Sequence, residues 1–162
     1  METGLTGTEK DPLAREALVS QLRQALASIL PQQPVQVAYL YGSVATGLVT
    51  PFSDVDIALV IDADIAPLER LKLILRLQVN LADCCGISNA DVRILNDAPL
   101  VLRGKVVCAG VLLYARDERE RVEFETNTRL RYFDYLPVHK RLQDAFFADV
   151  RERGLYGRSR QG

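Results

Sequence analysis

The feature that most constrains this sequence is a pair of aspartates at the start of an apolar run. Asp54 and Asp56 open residues 53–61, SDVDIALVI, which have the length and composition of a buried strand. Because side chains alternate sides along a strand, both carboxylates face the same way, with Cα atoms ~6.6 Å apart. Two like charges in such a place repel each other and lose hydration. We therefore expect a cation to compensate them.

A divalent metal ion is the compensation that this spacing favours. Paired carboxylates can ligate one ion or bracket two ions ~3.5–4 Å apart, the separation found in two-metal phosphoryl-transfer sites. Mg²⁺ is the expected ion, because it takes carboxylate oxygens together with substrate phosphates. Asp91, in the predicted strand ADVRIL over residues 90–95, is the candidate third carboxylate. It would complete one metal site and accept the proton of an attacking hydroxyl.

A Gly-Ser pair lies upstream of the two aspartates. Residues 35–41, VQVAYLY, have the β-branched and aromatic composition of a strand, and Gly42-Ser43 follows them where a short helix is expected to begin. Glycine lets the backbone approach a ligand closely, and free N–H groups at a helix start attract phosphate. We therefore predict that Gly42 and Ser43 bind phosphate, the serine through its hydroxyl. The alternative is a glycine turn followed by aspartates that merely cap the next strand.

Helical spacing of apolar residues predicts helices on both sides of these strands. The first lies between Asp11 and Pro31, and the second covers residues 67–85 and closes at Gly86. The second helix carries a predicted apolar face formed by Leu68, Leu71, Leu75, Val79 and Ala82.

The C-terminal third of the chain is predicted to be mostly helical. A short helix ends near Gly104 or Gly110 and leads into a last strand, VLLY. From Asp117, the segment DERE resembles a capping box and starts a long charged helix. Pro137 is expected to divide that helix into two, because proline lacks the N–H donor that a helix interior needs.

These elements predict an α/β fold of the α+β kind: a small mixed sheet flanked by helices, with a C-terminal helical extension. The predicted organisation is a disordered N-terminus at 1–10, a core at 11–116, a helical extension at 117–153 and a disordered tail at 154–162.

Composition narrows the classes of function. The formal net charge of −1 gives no electrostatic footprint for a nucleic-acid duplex, so stable DNA binding is not expected. The chain has no run of about eighteen apolar residues and no basic-then-apolar N-terminus, so neither a membrane span nor a signal peptide is expected. Its three cysteines form no metal-binding spacing, which favours reduced thiols and a cytoplasmic location.

The segment GSVATGLVTPFSDVD resembles the G-S-x(10)-D-x-D signature of the DNA polymerase beta-like nucleotidyltransferase superfamily. The chain is similar to the minimal nucleotidyltransferase (MNT) domain, specifically to the MntA-type antitoxins of bacterial MNT/HEPN modules. The resemblance implies a catalytic Ser43, a metal-binding pair Asp54 and Asp56, and a third catalytic and metal-binding aspartate at Asp91. Many members carry Arg where this chain has Thr46.

That departure leaves open which residue places positive charge near the phosphates. The candidates, which the sequence does not rank, are Lys72, Arg93 and Arg103.

The family resemblance implies a Mg²⁺-dependent protein adenylyltransferase of a type VII-like toxin–antitoxin system. Such an enzyme moves AMP from ATP to a tyrosine of a HEPN ribonuclease toxin and so inactivates it, which implies a hetero-oligomer with that toxin. Two alternatives stay open: an aminoglycoside-type adenylyltransferase acting on a small molecule, and a non-catalytic antitoxin that occludes its partner.

Overall fold

The computed structural model of the protein describes residues 12–47 and 54–154. Apart from Gly154, the two termini predicted to be disordered lie outside these residues. In the described part, a four-stranded sheet lies between two layers of helices.

The sheet is mixed, as the sequence predicts. Its strands are β1 (Val35–Tyr41), β2 (Val55–Ile61), β3 (Ala90–Ile94) and β4 (Val111–Ala115), in the spatial order β3-β2-β1-β4. β1 pairs antiparallel with both β2 and β4, whereas β2 and β3 run parallel. The parallel pair requires a crossover, and a helix between β2 and β3 supplies it.

The helices are α1 (Pro12–Ile29), α2 (Gly42–Thr46), α3 (Pro67–Cys85), α4 (Leu100–Ala109) and α5 (Glu118–Arg153). A short 3-10 helix extends the end of α1. α1 and α3 cover one face of the sheet with the larger apolar core, and α4 with the start of α5 covers the other. Each strand therefore presents alternate residues to two different helical layers.

α3 has its predicted bounds and ends at Gly86 in the left-handed conformation, but its predicted apolar face is wrong. The buried residues are Leu73, Leu77 and Leu81, whereas the four large members of the predicted face are exposed. At about 100° per residue, the two sets lie on opposite sides of the helix. The helix carries leucines on both sides, so spacing alone does not identify the side that packs.

α5 is continuous through Pro137, so the predicted division into two helices is wrong. Its start is as predicted: the Asp117 carboxylate accepts a 2.9 Å hydrogen bond from the Glu120 backbone N–H. Gly104, one of the two residues considered as the end of α4, lies inside that helix, which ends at Ala109, directly before Gly110. A side chain at Gly104 would overlap the Tyr132 ring of α5, so the glycine allows the two helices to pack closely.

A buried polar cluster fastens α5 to the sheet. The Tyr39 hydroxyl donates a 3.0 Å hydrogen bond to Glu125, which is only 7% exposed. Arg121 and Arg129 pair with the same carboxylate at 2.6 and 3.2 Å. Burial and the Glu125 charge raise the pKa of the Tyr39 hydroxyl, which therefore stays protonated and remains a donor. This cluster explains how a buried carboxylate is tolerated.

Among the helices of residues 12–47 and 54–154, none combines the length and the apolar character needed to cross a bilayer.

Candidate functional site

The predicted site residues lie where β1 ends and β2 begins. In the register of the sheet, Asp56 of β2 stands between Tyr41 of β1 and Asp91 of β3. Asp54 immediately precedes β2, which begins at Val55 and so is shorter than the predicted strand. The structure therefore brings all three predicted carboxylates to one end of the sheet.

The electrostatics of this group are unfavourable to Asp56. Partial burial raises the pKa of its carboxyl, and the neighbouring charges of Asp91 and Asp54 raise it further. Only Arg93 acts in the opposite sense among the causes of that shift. The repulsion expected from the sequence is thus present in the folded protein, and a bound cation would relieve it.

Gly42 is required by its conformation and by its neighbour. Its φ of 72° is in the region that residues with a side chain rarely adopt. A Cβ at this position would also overlap the Asp56 carboxylate. The first residue of α2, Gly42, is therefore in direct contact with Asp56 of the predicted metal-binding pair, and Ser43 follows it.

α2 is held in place from its other end. Arg15 of α1 donates hydrogen bonds to the carbonyl oxygens of Val44 and Ala45 at 3.3 and 2.5 Å. Gly47 follows α2 in the left-handed conformation that commonly closes a helix. Arg15 could not be identified from the sequence, because its contact joins residues about thirty positions apart.

Two further residues belong to the site: Arg93, which the sequence did not rank among the candidates, and Tyr41, which it did not indicate. Arg93 pairs with Asp91 through its Nε at 2.9 Å, and its charge acts also on Asp56 and on Tyr41. Tyr41 is half-buried, and burial raises the pKa of its hydroxyl. Its position at the predicted end of β1, directly before Gly42, was the only signal in the sequence.

The donor set fits Mg²⁺ in part. Within the described residues, no three acidic, histidine or cysteine side chains converge tightly enough to hold a metal ion. Asp91 is engaged by Arg93, which leaves Asp54 and Asp56 as the available carboxylates. Mg²⁺ is commonly bound by one or two carboxylates together with substrate phosphates, so this pair is sufficient in kind. The three-ligand set remains a prediction.

A known protein family matches the part of the chain that contains this site. The family described as polymerase beta, nucleotidyltransferase matches residues 24–119, more than half of the chain. The chain belongs to the polymerase beta nucleotidyltransferase family. The match spans the whole sheet and α2, and it includes every predicted site residue of this nucleotidyltransferase.

Solved structures share its fold. A mutant of the toxin–antitoxin MntA–HpeT aligns with a TM-score of 0.61 and 22% identity, over 80% of this chain and 98% of that one. A toxin–antitoxin with AMP-PNP gives 0.57 and 23%, over 82% and 97%. A Shewanella oneidensis tri-AMPylated HEPN toxin in complex with its MNT antitoxin gives 0.56 and 22%, over 82% and 98%. Among curated proteins, none matches this nucleotidyltransferase.

Proposed function

We propose that this nucleotidyltransferase is an antitoxin that transfers AMP from ATP to a tyrosine hydroxyl of a HEPN-type ribonuclease toxin. The observation that carries the proposal is the contact of Gly42, the residue before Ser43, with Asp56, a carboxylate on which the Asp54 charge also acts. It places a candidate phosphate-binding segment against candidate metal ligands, as nucleotidyl transfer requires. The shared fold with MNT antitoxins, one of them beside an AMPylated toxin, supports this partner class.

Asp54 and Asp56 are the proposed ligands of Mg²⁺, which in this reaction class neutralises developing charge on phosphate oxygens. Gly42 brings the backbone against Asp56, and the hydroxyl of Ser43, the next residue, can donate to a phosphate oxygen. These residues orient the α-phosphate and the pyrophosphate leaving group, so that positioning and electrostatic stabilisation supply most of the catalysis.

Asp91 is the proposed proton acceptor. The tyrosine oxygen forms a bond to the α-phosphorus, the bond from that phosphorus to the bridging oxygen breaks, and pyrophosphate leaves with the electron pair. The tyrosine proton passes to the Asp91 carboxylate, which must lie within about 3 Å of the hydroxyl in the reactive complex. In the protein alone, Arg93 occupies Oδ2 of that carboxylate, so opening the pair would leave both oxygens free to accept the proton.

The experiment is co-expression of this protein with a HEPN toxin, followed by mass spectrometry of the toxin. We expect AMP adducts on a toxin tyrosine with the wild-type protein, and none with Asp91→Asn, which keeps the size of the side chain but removes the base. Asp97→Asn is the matched control, because Asp97 pairs with Arg70 outside the site.

The two alternatives predict different results. If the toxin is neutralised without an adduct, the protein acts by occlusion and the enzymatic proposal is wrong. If the purified protein instead adenylylates an aminoglycoside and leaves the toxin unmodified, its acceptor is a small molecule.

A further inference from the structure

The nucleotide needs a positive side chain that α2 does not provide. The sequence of α2 is GSVAT, with no basic residue. Thr46, which stands where many family members carry arginine, turns its hydroxyl back to the carbonyl oxygens of Gly42 and Ser43, at 3.2 Å each. A triphosphate in contact with three carboxylates would therefore depend on a cation from another element.

Arg93 lies beside the predicted metal-binding carboxylates. It projects from the edge strand β3 and pairs with Asp91 at 2.9 Å, and Asp91 is the register partner of Asp56 in β2. Two residues of spacing place Arg93 and Asp91 on the same face of β3. The charge of Arg93 acts on Asp56 in β2 and on Tyr41 in β1. The guanidinium therefore lies at the end of the sheet that carries the predicted site.

The other two candidates belong to helices α3 and α4 rather than to the sheet. The Lys72 ammonium pairs with Glu69 of its own helix α3 at 2.7 Å. Arg103 belongs to α4, and its Nε is buried without a hydrogen-bond partner among the described residues. Neither contributes to the pKa shifts of Asp56 or Tyr41, whereas Arg93 contributes to both.

The pair that Arg93 makes is easily exchanged. Its side chain is 58% exposed and that of Asp91 is 39% exposed, so water screens their attraction. Phosphate oxygens carry more charge than one carboxylate and accept the same planar pair of N–H donors.

We propose that Arg93 is the phosphate-binding cation of this enzyme and that it exchanges Asp91 for the triphosphate when the nucleotide binds. The inference rests on the proposed nucleotidyl transfer and deepens it. In the protein alone, the guanidinium neutralises one of the clustered carboxylates. With nucleotide bound, the same exchange frees Asp91 to accept a proton.

The test separates phosphate binding from metal binding. Calorimetry with a non-hydrolysable ATP analogue and Mg²⁺ should show that Arg93→Gln weakens binding about tenfold to a hundredfold, the usual effect of losing a charged hydrogen bond. Arg93→Lys keeps the charge but loses the planar donor pair, so its affinity for the analogue should lie between those of the wild type and Arg93→Gln. Mn²⁺ alone, followed by its paramagnetic resonance signal, should bind Arg93→Gln several-fold more tightly, because a competing positive charge is gone.

Arg116→Gln is the matched control. Arg116 pairs with Asp62 at 2.8 Å, a comparably exposed pair at the opposite end of β2, so this variant should bind the analogue and Mn²⁺ like the wild type. The inference is overturned if Arg93→Gln binds the analogue normally, or if it loses Mn²⁺ and analogue together, since Arg93 would then only hold Asp91 in place.

The AMP adduct on the toxin separates this inference from the proposed function. Normal binding by Arg93→Gln in a protein that forms the adduct overturns only the role of Arg93. The expected binding changes in a protein that forms no adduct overturn only the proposed acceptor. A wild-type protein that binds no analogue overturns both.

Discussion

Gly42 lies so close to Asp56 that its α-carbon leaves no room for a methyl group beside that carboxylate. The contact joins the end of β1 to the start of β2, where the two predicted halves of the site meet. It makes one residue responsible for both the conformation of the turn and the position of the carboxylate. Substitution at Gly42 should therefore affect activity and stability together.

Gly42→Ala should abolish AMP transfer and lower the free energy of unfolding by more than Gly86→Ala does. Both glycines have positive φ, near 70°, so both variants carry a backbone penalty of about 1 kcal/mol or more. Only Gly42 has a neighbour to displace, because the space around a Cβ at Gly86 is open. Urea denaturation and AMP transfer measured on both variants check this. Equal stability losses with retained activity would contradict the contact.

Asp56→Asn should abolish transfer, as should Asp54→Ala, yet raise the thermal midpoint of the metal-free protein at pH 7. A carboxyl with a raised pKa in the folded state destabilises the fold once it is ionised. That penalty is complete above the raised pKa and vanishes below the ordinary carboxyl pKa, so the gain should shrink as the pH is lowered from 7 toward 4. Thermal melts across this range measure it.

Asp62→Asn is the control for Asp56→Asn, and we expect it to change the thermal midpoint in the opposite direction. Hydrogen bonds from Arg116 and Gln36 lower the pKa of Asp62, so its ionised form stabilises the fold. That contribution is present above the ordinary carboxyl pKa and is lost as the pH falls through the lowered one. This variant should therefore melt below the wild type at pH 7 and at pH 5. A loss of stability in Asp56→Asn as well would mean that Asp56 is structural.

Arg15→Met should reduce AMP transfer while costing about as much stability as Arg23→Met. Both arginines project from α1 and donate to backbone carbonyl oxygens, Arg15 to the end of α2 and Arg23 to Leu112 of β4. Methionine keeps much of the apolar stem and removes the donors. Only Arg15 positions α2, so activity should separate the two variants although their melting curves do not. Equal activities would show that α2 holds its place without this contact.

Glu125→Ala should destabilise the protein by roughly 3 kcal/mol, because it leaves buried partners without their carboxylate. Tyr39→Phe removes one neutral donor from the same group and should cost about 1 kcal/mol. Asp149→Ala, which breaks an exposed pair with Arg153 further along α5, should change stability by about 0.5 kcal/mol or less. Chemical denaturation of the three variants should reproduce this order.

The local elements of this fold could be predicted from sequence because local signals define them. β1 and α3 have their predicted bounds, and the start of α5 follows from the Asp117 cap. The prediction of a helix break at Pro137 was wrong because the helix on both sides of Pro137 is stable enough to continue without one backbone N–H donor. The side of α3 that packs is determined by where the sheet lies. The helical spacing of apolar residues carries no information about that position.

The candidate site also contains residues that could be predicted from sequence and residues that could not. Asp54 and Asp56 were predicted as a pair because two residues of spacing determine their common side. Arg93 follows Asp91 by the same spacing, yet its proximity to Asp56 depends on the pairing of β2 with β3. Tyr41 is close to Asp56 only through the antiparallel pairing of β1 with β2. Contacts that arise from strand pairing were the ones that the sequence could not give.

The sheet ends on strands that another chain would find hard to extend. β3 and β4 have five residues each, against seven in β1 and β2, and the pairing of β4 with β1 shifts register between Ala38 and Tyr39. Long, regular open edges are templates for aggregation through added strands, whereas short and irregular ones expose few consecutive donors and acceptors. The two edges of this sheet are therefore poor templates for the addition of strands from other chains.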